Sequence, residues 1–248
     1  MHALIVLSHP EPTSFNAALK DVAADTLERL GHSVDVSDLY AEGFDPAERA
    51  AQYPARKHPD RFAALAEQRH ASQTGSLPAD VRREIERLER ADLVVFQFPL
   101  WWHAQPAMLK GWFDRVFVNG GLYTSTMRYD RGYFRGKRAV LSVTTGAPAA
   151  AFGPNARGGD MHHLLWPLHY SLHYVGFAVL PPFLAHGVQG HGYAYQDADR
   201  FAAQLADEKA RWRRRLETLD EAEPLAFPGW NDWTEDGGAK QPGFRAAV

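Results

Sequence analysis

Val94-Val95-Phe96-Gln97-Phe98-Pro99-Leu100-Trp101-Trp102-His103 opens as an apolar run and breaks at a proline into flat aromatic residues. A short, nearly continuous apolar run suits a strand covered on both faces. The amino terminus repeats the plan. Ala3-Leu4-Ile5-Val6-Leu7 is followed by Ser8-His9-Pro10-Glu11-Pro12-Thr13-Ser14-Phe15-Asn16. Similar runs occupy 139–143 and 177–180, and 33–38 alternates as Ser-Val-Asp-Val-Ser-Asp, which suits a strand nearer an edge. Helical patterns lie between them at 16–30, 80–90 and 107–117. The first carries Leu19, Val22, Ala23, Thr26, Leu27 and Leu30 on one face, and the second Val81, Ile85 and Leu88. Strands alternating with helices predict βαβ units and a doubly wound parallel sheet, which binds ligands in the loops at its strands' carboxyl ends.

The remaining segments are less regular. Residues 40–78 form a long excursion, partly helical. Residues 205–219 read as a basic amphipathic surface helix with Arg211, Arg213, Arg214 and Arg215. The division expected is one domain over 1–220 and a tail over 221–248. The tail's Phe227, Trp230, Trp233 and Phe244 should pack on the domain or on a partner subunit, because large aromatics are costly to leave wet.

Composition narrows the chemistry. The chain has 248 residues, enough to bury a core without staples, and no cysteine, which excludes thiol catalysis and thiolate-bound clusters. A net charge of −3 gives no basic field for nucleic acid. The run at 3–7 is too short for a signal-peptide core, and nothing approaches the ~20 apolar residues of a membrane span, so a cytoplasmic protein without membrane insertion is expected.

Three strand-end segments carry the site. Thr13 and Ser14 offer hydroxyls, His9 a ring nitrogen and Asn16 an amide at a helix start, where free N–H groups and the helix dipole favour an anion such as phosphate. Ser and Thr also cap ordinary helices there. Pro99, Leu100, Trp101, Trp102 and His103 give flat side chains and free amides suited to an aromatic ring, with Pro99 and Pro106 holding the backbone extended. Thr144-Thr145-Gly146 lets a ring approach the backbone. No G-x-G-x-x-G, G-x-x-x-x-G-K-[ST] or G-x-S-x-G occurs, so the dinucleotide turn, the P-loop and the hydrolase elbow are all missing.

Together these words resemble the flavodoxin-like NAD(P)H:quinone oxidoreductases of the DT-diaphorase type. That family includes bacterial relatives called modulators of drug activity and potassium-efflux ancillary proteins. Supporting words are Ser37-Asp38-Leu39-Tyr40, Phe96-Gln97-Phe98-Pro99-Leu100, Leu109-Lys110-Gly111-Trp112-Phe113-Asp114-Arg115-Val116-Phe117, Gly159-Asp160-Met161 and Leu165-Trp166-Pro167. The alternating pattern and short loops predict a five-stranded sheet in the order 2-1-3-4-5, and the surplus of large aromatics in and just after 107–117, more than one core face covers, predicts a dimer seam that buries them with 123–134. The resemblance implies that the protein is a homodimer. It also implies FAD and a ping-pong cycle from NAD(P)H to a quinone. His9, Thr13, Ser14, Phe15 and Asn16 would hold the pyrophosphate and ribityl chain. Pro99, Leu100, Trp101, Trp102 and His103, with Thr144, Thr145, Gly146 and Ala147, would line the flavin ring. Trp102, Tyr123 and Phe152 would face the substrate. The 40–78 excursion would enclose the adenosine half, with Ala63 where relatives place a glutamine.

Departures from the pattern are local. Animal relatives carry a Tyr and a His thought to relay charge, and ungapped counting puts Phe152 and Gly158 there; neither can move a proton, and His162 nearby reads either as a substitute or as a plain helix-start histidine with no catalytic role. His169 and His173 share a helical face, as in a zinc-bearing relative, but no cysteine completes a site, so no metal is expected. Two other readings stay open: a regulatory flavoprotein on a potassium-efflux transporter, and an FMN-dependent azoreductase-like enzyme.

Overall fold

The computed structural model describes residues 1–190 and 196–240, so Phe244 lies outside the described residues. Strand β1 (His2–Leu7) leads into helix α1 (Phe15–Arg29) and strand β2 (Ser33–Asp38). Helices α2 (Ala64–Thr74) and α3 (Ala79–Arg90) precede β3 (Leu93–Pro99) and α4 (Ala107–Val116). Then come β4 (Arg138–Thr144), α5 (Met161–Tyr174), β5 (Ala178–Val179), β6 (Phe183–Ala185) and α6 (Ala198–Glu217). The strands pair in parallel in the order β2-β1-β3-β4-β5, the winding that the alternating pattern predicts.

The fifth strand differs from its sequence reading. It is broken: β5 pairs with the start of β4 and β6 with its end, and the register slips by one residue between them. Pro181 and Pro182 lie at the break and supply no N–H to the ladder.

Two apolar layers explain the continuous strand runs. Leu4, Val6, Val94, Phe96 and Leu141 face one core with Leu109, Trp112, Leu165 and Leu172 of α4 and α5. Ala3, Ile5, Leu93, Val95 and Val140 face the other with Leu19 and Leu27 of α1 and Trp212 and Leu216 of α6. Of the α1 face read from the sequence, Leu30 alone is exposed. The basic helix starts seven residues earlier than its pattern suggests, capped by Asp197, whose side chain accepts from the Arg200 N–H. Trp212 fixes it to α1 by donating from Nε1 to Leu19 O at 3.2 Å.

The aromatic surplus around α4 is absorbed within the chain. Trp112, Phe113 and Phe117 are all buried and contact one another and Phe96. That corrects the expectation that a partner must cover them. Residues 40–78 are pinned over α4. Arg115 donates to Asp45 O at 2.6 Å and to Asp80, and a Cβ on Gly111 would collide with the Pro46 carbonyl. Burial pushes the Glu67 carboxyl up, but the Lys57 and His58 amides and Arg56 outweigh it and hold it low. In the tail, Phe227 stacks on His173 at 4.6 Å between ring centres, and Trp233 packs at a tilt against Tyr129 at 4.3 Å. No helix among the described residues is long and apolar enough to cross a membrane.

Candidate active site

A cleft of about 560 Å³ opens at the carboxyl ends of β1, β3 and β4. Its walls carry His9, Thr13, Ser14, Phe15 and Asn16, then Pro99, Leu100 and Trp101, then Thr144, Thr145 and Gly146. Three loops far apart in sequence therefore meet in one cavity, because parallel crossovers return every strand to the same end of the sheet.

The α1 end is built as an anion site. Ser14 is the N-cap, and its Oγ accepts from the Ala17 N–H at 3.1 Å. Glu11 already places a carboxylate there: Oε1 accepts from the Thr13 N–H at 2.9 Å and from the Thr13 hydroxyl at 2.7 Å. Those bonds hold the Glu11 carboxyl below its usual range. Burial pushes the His9 imidazole down, overriding Glu11. Its Nδ1 accepts from the Glu11 N–H at 3.0 Å, which leaves the proton of the neutral ring on Nε2.

Behind this wall Asn16 is buried. Its Nδ2 donates to Thr144 Oγ1 at 3.0 Å and its Oδ1 accepts from Gln97 Nε2 at 2.9 Å, tying α1 to β3 and β4. Among the described residues Ser8 Oγ, just past β1, and Gln97 Oε1 and Ser142 Oγ of β3 and β4 lack partners and are fully buried. Thr145 Oγ1 donates to Ala147 O and lies 2.9 Å from His186 Nδ1. A hydroxyl that spends its proton on a carbonyl must accept from the ring, so His186 carries Nδ1–H. Burial, and then Arg211, keep that ring neutral. At Gly146 a Cβ would meet only Val188 O at 3.8 Å, so the cleft is open against the backbone.

Several residues singled out in the sequence stand elsewhere. Ala147 lines an adjoining cavity of about 330 Å³. Tyr123 packs edge-on against Tyr174, 5.7 Å between ring centres. Phe152 stacks on His186 at 5.2 Å, and His162 lies in the first turn of α5 with its N–H on the Asp160 cap. Trp102 is 96% exposed. The loop is not extended beyond Trp101, as its prolines suggest, because Trp101 and Ala104 exchange both backbone hydrogen bonds around Trp102 (φ 50°) and His103 (φ 60°). Positive φ at both central residues marks a primed two-residue turn, a place usually taken by Asn-Gly. Each non-glycine residue there costs ~1 kcal/mol. His103→Gly is therefore expected to raise unfolding stability by about 1 kcal/mol, read from denaturant melts; an unchanged midpoint would show the turn unstrained.

None of residues 40–78 lines the cleft; the excursion is held over α4, and Ala63 sits half-buried at the start of α2. Its place on the wall is taken by Val188, Gln189 and Gly190, and by Phe201 and Leu205 of α6. Sequence reading missed these five. They follow the fifth strand, and the rule that pointed to the other three loops would have reached them had Pro181-Pro182 not hidden where that strand ends. Among the described residues no group of three His, Asp or Glu is placed to hold a metal.

Comparison with known proteins agrees with this architecture. A family described by its flavodoxin-like fold matches residues 1–216. NAD(P)H dehydrogenase [quinone] 1 from Cavia porcellus is 43% identical over 227 residues, 91% of this chain and 79% of that protein. Ribosyldihydronicotinamide dehydrogenase [quinone] from Pongo abelii is 41% identical over 230 residues, 90% of this chain and 93% of that one. A Klebsiella pneumoniae crystal structure described as a candidate quinone reductase superposes with a TM-score of 0.85 at 37% identity, covering 95% of this chain and 92% of that one. On these matches and on its own sheet order and strand-end loops, the chain belongs to the NAD(P)H:quinone oxidoreductase family of flavodoxin-like enzymes.

Proposed function

We propose that the protein is a homodimeric FAD-dependent NAD(P)H:quinone oxidoreductase. The observation that carries this reading is the convergence of the Thr13, Leu100 and Gly146 loops on one cleft whose floor lacks a side chain at Gly146. A flavin held there would supply the chemistry of two-electron transfer between a reduced nicotinamide and a quinone. The residues present fit it. The α1 start, with Thr13, Ser14 and the Nε2–H of His9, offers donors to phosphate, and Glu11 shows that a carboxylate is already held there. Pro99, Leu100 and Trp101 give the ring an apolar wall, and the backbone at Gly146 stays open to it, while Thr145 is tied by its N–H to Ala185 O and by its carbonyl to the Val188 N–H. Phe201 and Leu205 extend that wall on the α6 side, which suits a dinucleotide better than a mononucleotide.

With the flavin ring on the Leu100 wall, donor and acceptor would take turns beside Gly146, the order of a ping-pong cycle. Trp102, 96% exposed, and Trp101, 39% exposed, form an apolar rim suited to a second subunit. The proton relay of animal relatives has no counterpart at Phe152 and Gly158, and a histidine cannot simply be restored. A Cβ at Gly158 would stand 2.7 Å from the Ala151 carbonyl.

The test is a visible spectrum of the purified protein, its bleaching by NADH and NADPH, and reoxidation by menadione, with the released flavin identified by mass. A colourless protein that takes up no added flavin would end this reading. Glu11 gives a second check. Glu11→Gln is expected to tighten flavin binding several-fold, since a competing anion leaves the helix start while the side-chain shape stays. Equal or weaker flavin affinity in titration would mean that Glu11 does not share the phosphate position.

A further inference from the structure

Two cavities continue the cleft away from the α1 start. The first, about 330 Å³, shares Gly146 and Gln189 with it and adds Pro148, Arg157 and Gln204. The second, about 760 Å³, shares Pro148, Gly187 and Gln204 with the first and runs between β6 and α6. Gln204 spans their junction, donating from Nε2 to His186 O at 2.9 Å. The three follow one another through these shared walls, from the Thr13 hydroxyls past Gly146 to β6 and α6.

Charge along the outer part is one-sided. Arg157, Arg211, Arg214 and Arg215 line the two cavities, against Glu208 as the one carboxylate among the described lining residues. Arg211 takes up that carboxylate at 2.7 Å and lies over the Phe183 ring. Arg215 donates to the Pro181 carbonyl at 3.3 Å, and burial presses on its charge. Among the described residues Arg157 and Arg214 have no carboxylate partner. A guanidinium left without a carboxylate is a place for phosphate, which its forked donors match in geometry.

We infer that these two outer cavities hold the phosphate-bearing half of the hydride donor, the pyrophosphate and adenosine phosphate of NAD(P)H, with the dihydronicotinamide ring at Gly146. The inference rests on the donor reading above. Its physical basis is the direction of exit. A ring placed beside Gly146 must lead its remaining bulk out of the cleft, and the α1 end is assigned to the flavin's own phosphates. The cavities sharing walls with the Gly146 end run to the arginines. This distinguishes the two donor types in the relatives' names, because a ribosyldihydronicotinamide bears no phosphate and would leave the arginines unused.

The experiment compares the flavin-loaded protein with its Arg157→Gln/Arg214→Gln variant, both sites being exposed. Calorimetric titration uses adenosine 2′,5′-bisphosphate and, separately, inorganic phosphate. Steady-state rates use NADPH and the phosphate-free donor 1-methyl-1,4-dihydronicotinamide. The bisphosphate should bind and lose about tenfold or more in affinity in the variant, and the KM for NADPH should rise about tenfold more than that for the phosphate-free donor. No bisphosphate binding, or equal binding by both proteins, overturns the inference. Inorganic phosphate binding as tightly as the bisphosphate also overturns it, leaving a general anion site. If the bisphosphate binds through the arginines but neither dihydronicotinamide reduces the flavin, the donor assignment falls while the cleft's flavin reading stands.

Discussion

Replacing Gly146 by leucine is expected to leave the fold intact and to cost the protein its flavin. Gly146 follows β4, is exposed, and has only Val188 O within 4 Å of a built Cβ, at 3.8 Å. Its backbone lies outside the positive-φ region, so a larger side chain meets no backbone strain. A leucine there would project into the 560 Å³ cleft between Thr145 and Leu100, where the ring must approach the amides. Displacing the ring from its wall removes packing and hydrogen bonds together. We expect flavin affinity to fall at least about a hundredfold, or ~2.7 kcal/mol. The check is flavin absorbance per protein after dialysis, with circular dichroism and melting as controls. Wild-type flavin content in a folded Gly146→Leu protein would place the cofactor elsewhere.

The second large effect concerns acid. His169 on α5 is fully buried, and neither ring nitrogen has a hydrogen-bond partner. Burial, reinforced by His162, pulls its pKa down to about 4. In the unfolded chain the ring takes a proton below about pH 6.5, whereas the folded protein resists until about 4. The unfolded state then binds more protons, so stability falls as pH drops through that window and is unaffected above it. The loss amounts to ~3 kcal/mol across the window, at 1.36 kcal/mol per pKa unit. His169→Leu should remove that part of the acid sensitivity, and at pH 7 be as stable or more so, because the two orphaned nitrogens disappear. Denaturant unfolding of both proteins at pH 7 and pH 4.5 measures it. Parallel losses in the two would show that His169 is not the group responsible.

These two sites differ in how far the sequence exposes them. Gly146 is legible: a Thr-Thr-Gly word after an apolar run, in a chain whose strands alternate with helices, can only stand at the ligand end of the sheet. The same rule places Thr13 and Leu100. His169 is not legible, since a histidine at helical spacing reads equally as surface, ligand or core. Glu84 is a similar case. In sequence it is one of many charges in α3, three residues after Val81 and four before Leu88 on the apolar side; in the fold it is fully buried and accepts from Ser37 Oγ at 2.7 Å and Trp112 Nε1 at 2.9 Å. Periodicity reports which side of a helix is apolar and cannot report that a carboxylate on that side finds two donors from other elements. The turn at Trp102-His103 escapes for the opposite reason. Local propensity argues against aromatic residues at positive φ, and the surrounding loop imposes them.

The broken fifth strand bears on how the enzyme stays apart from its neighbours. An open sheet ends in two strands whose outer N–H and C=O groups could template pairing with another chain. At one end the ladder is cut into pieces of two and three residues separated by Pro181-Pro182, too short and too kinked to recruit a stranger. At the other end β2 runs six residues and carries Asp35 and Asp38, so an incoming strand would have to desolvate carboxylates. Proline at one margin and charge at the other are two separate defences against aggregation. Replacing Pro181 and Pro182 with β-branched residues would lengthen the ladder at that margin and forfeit one of them.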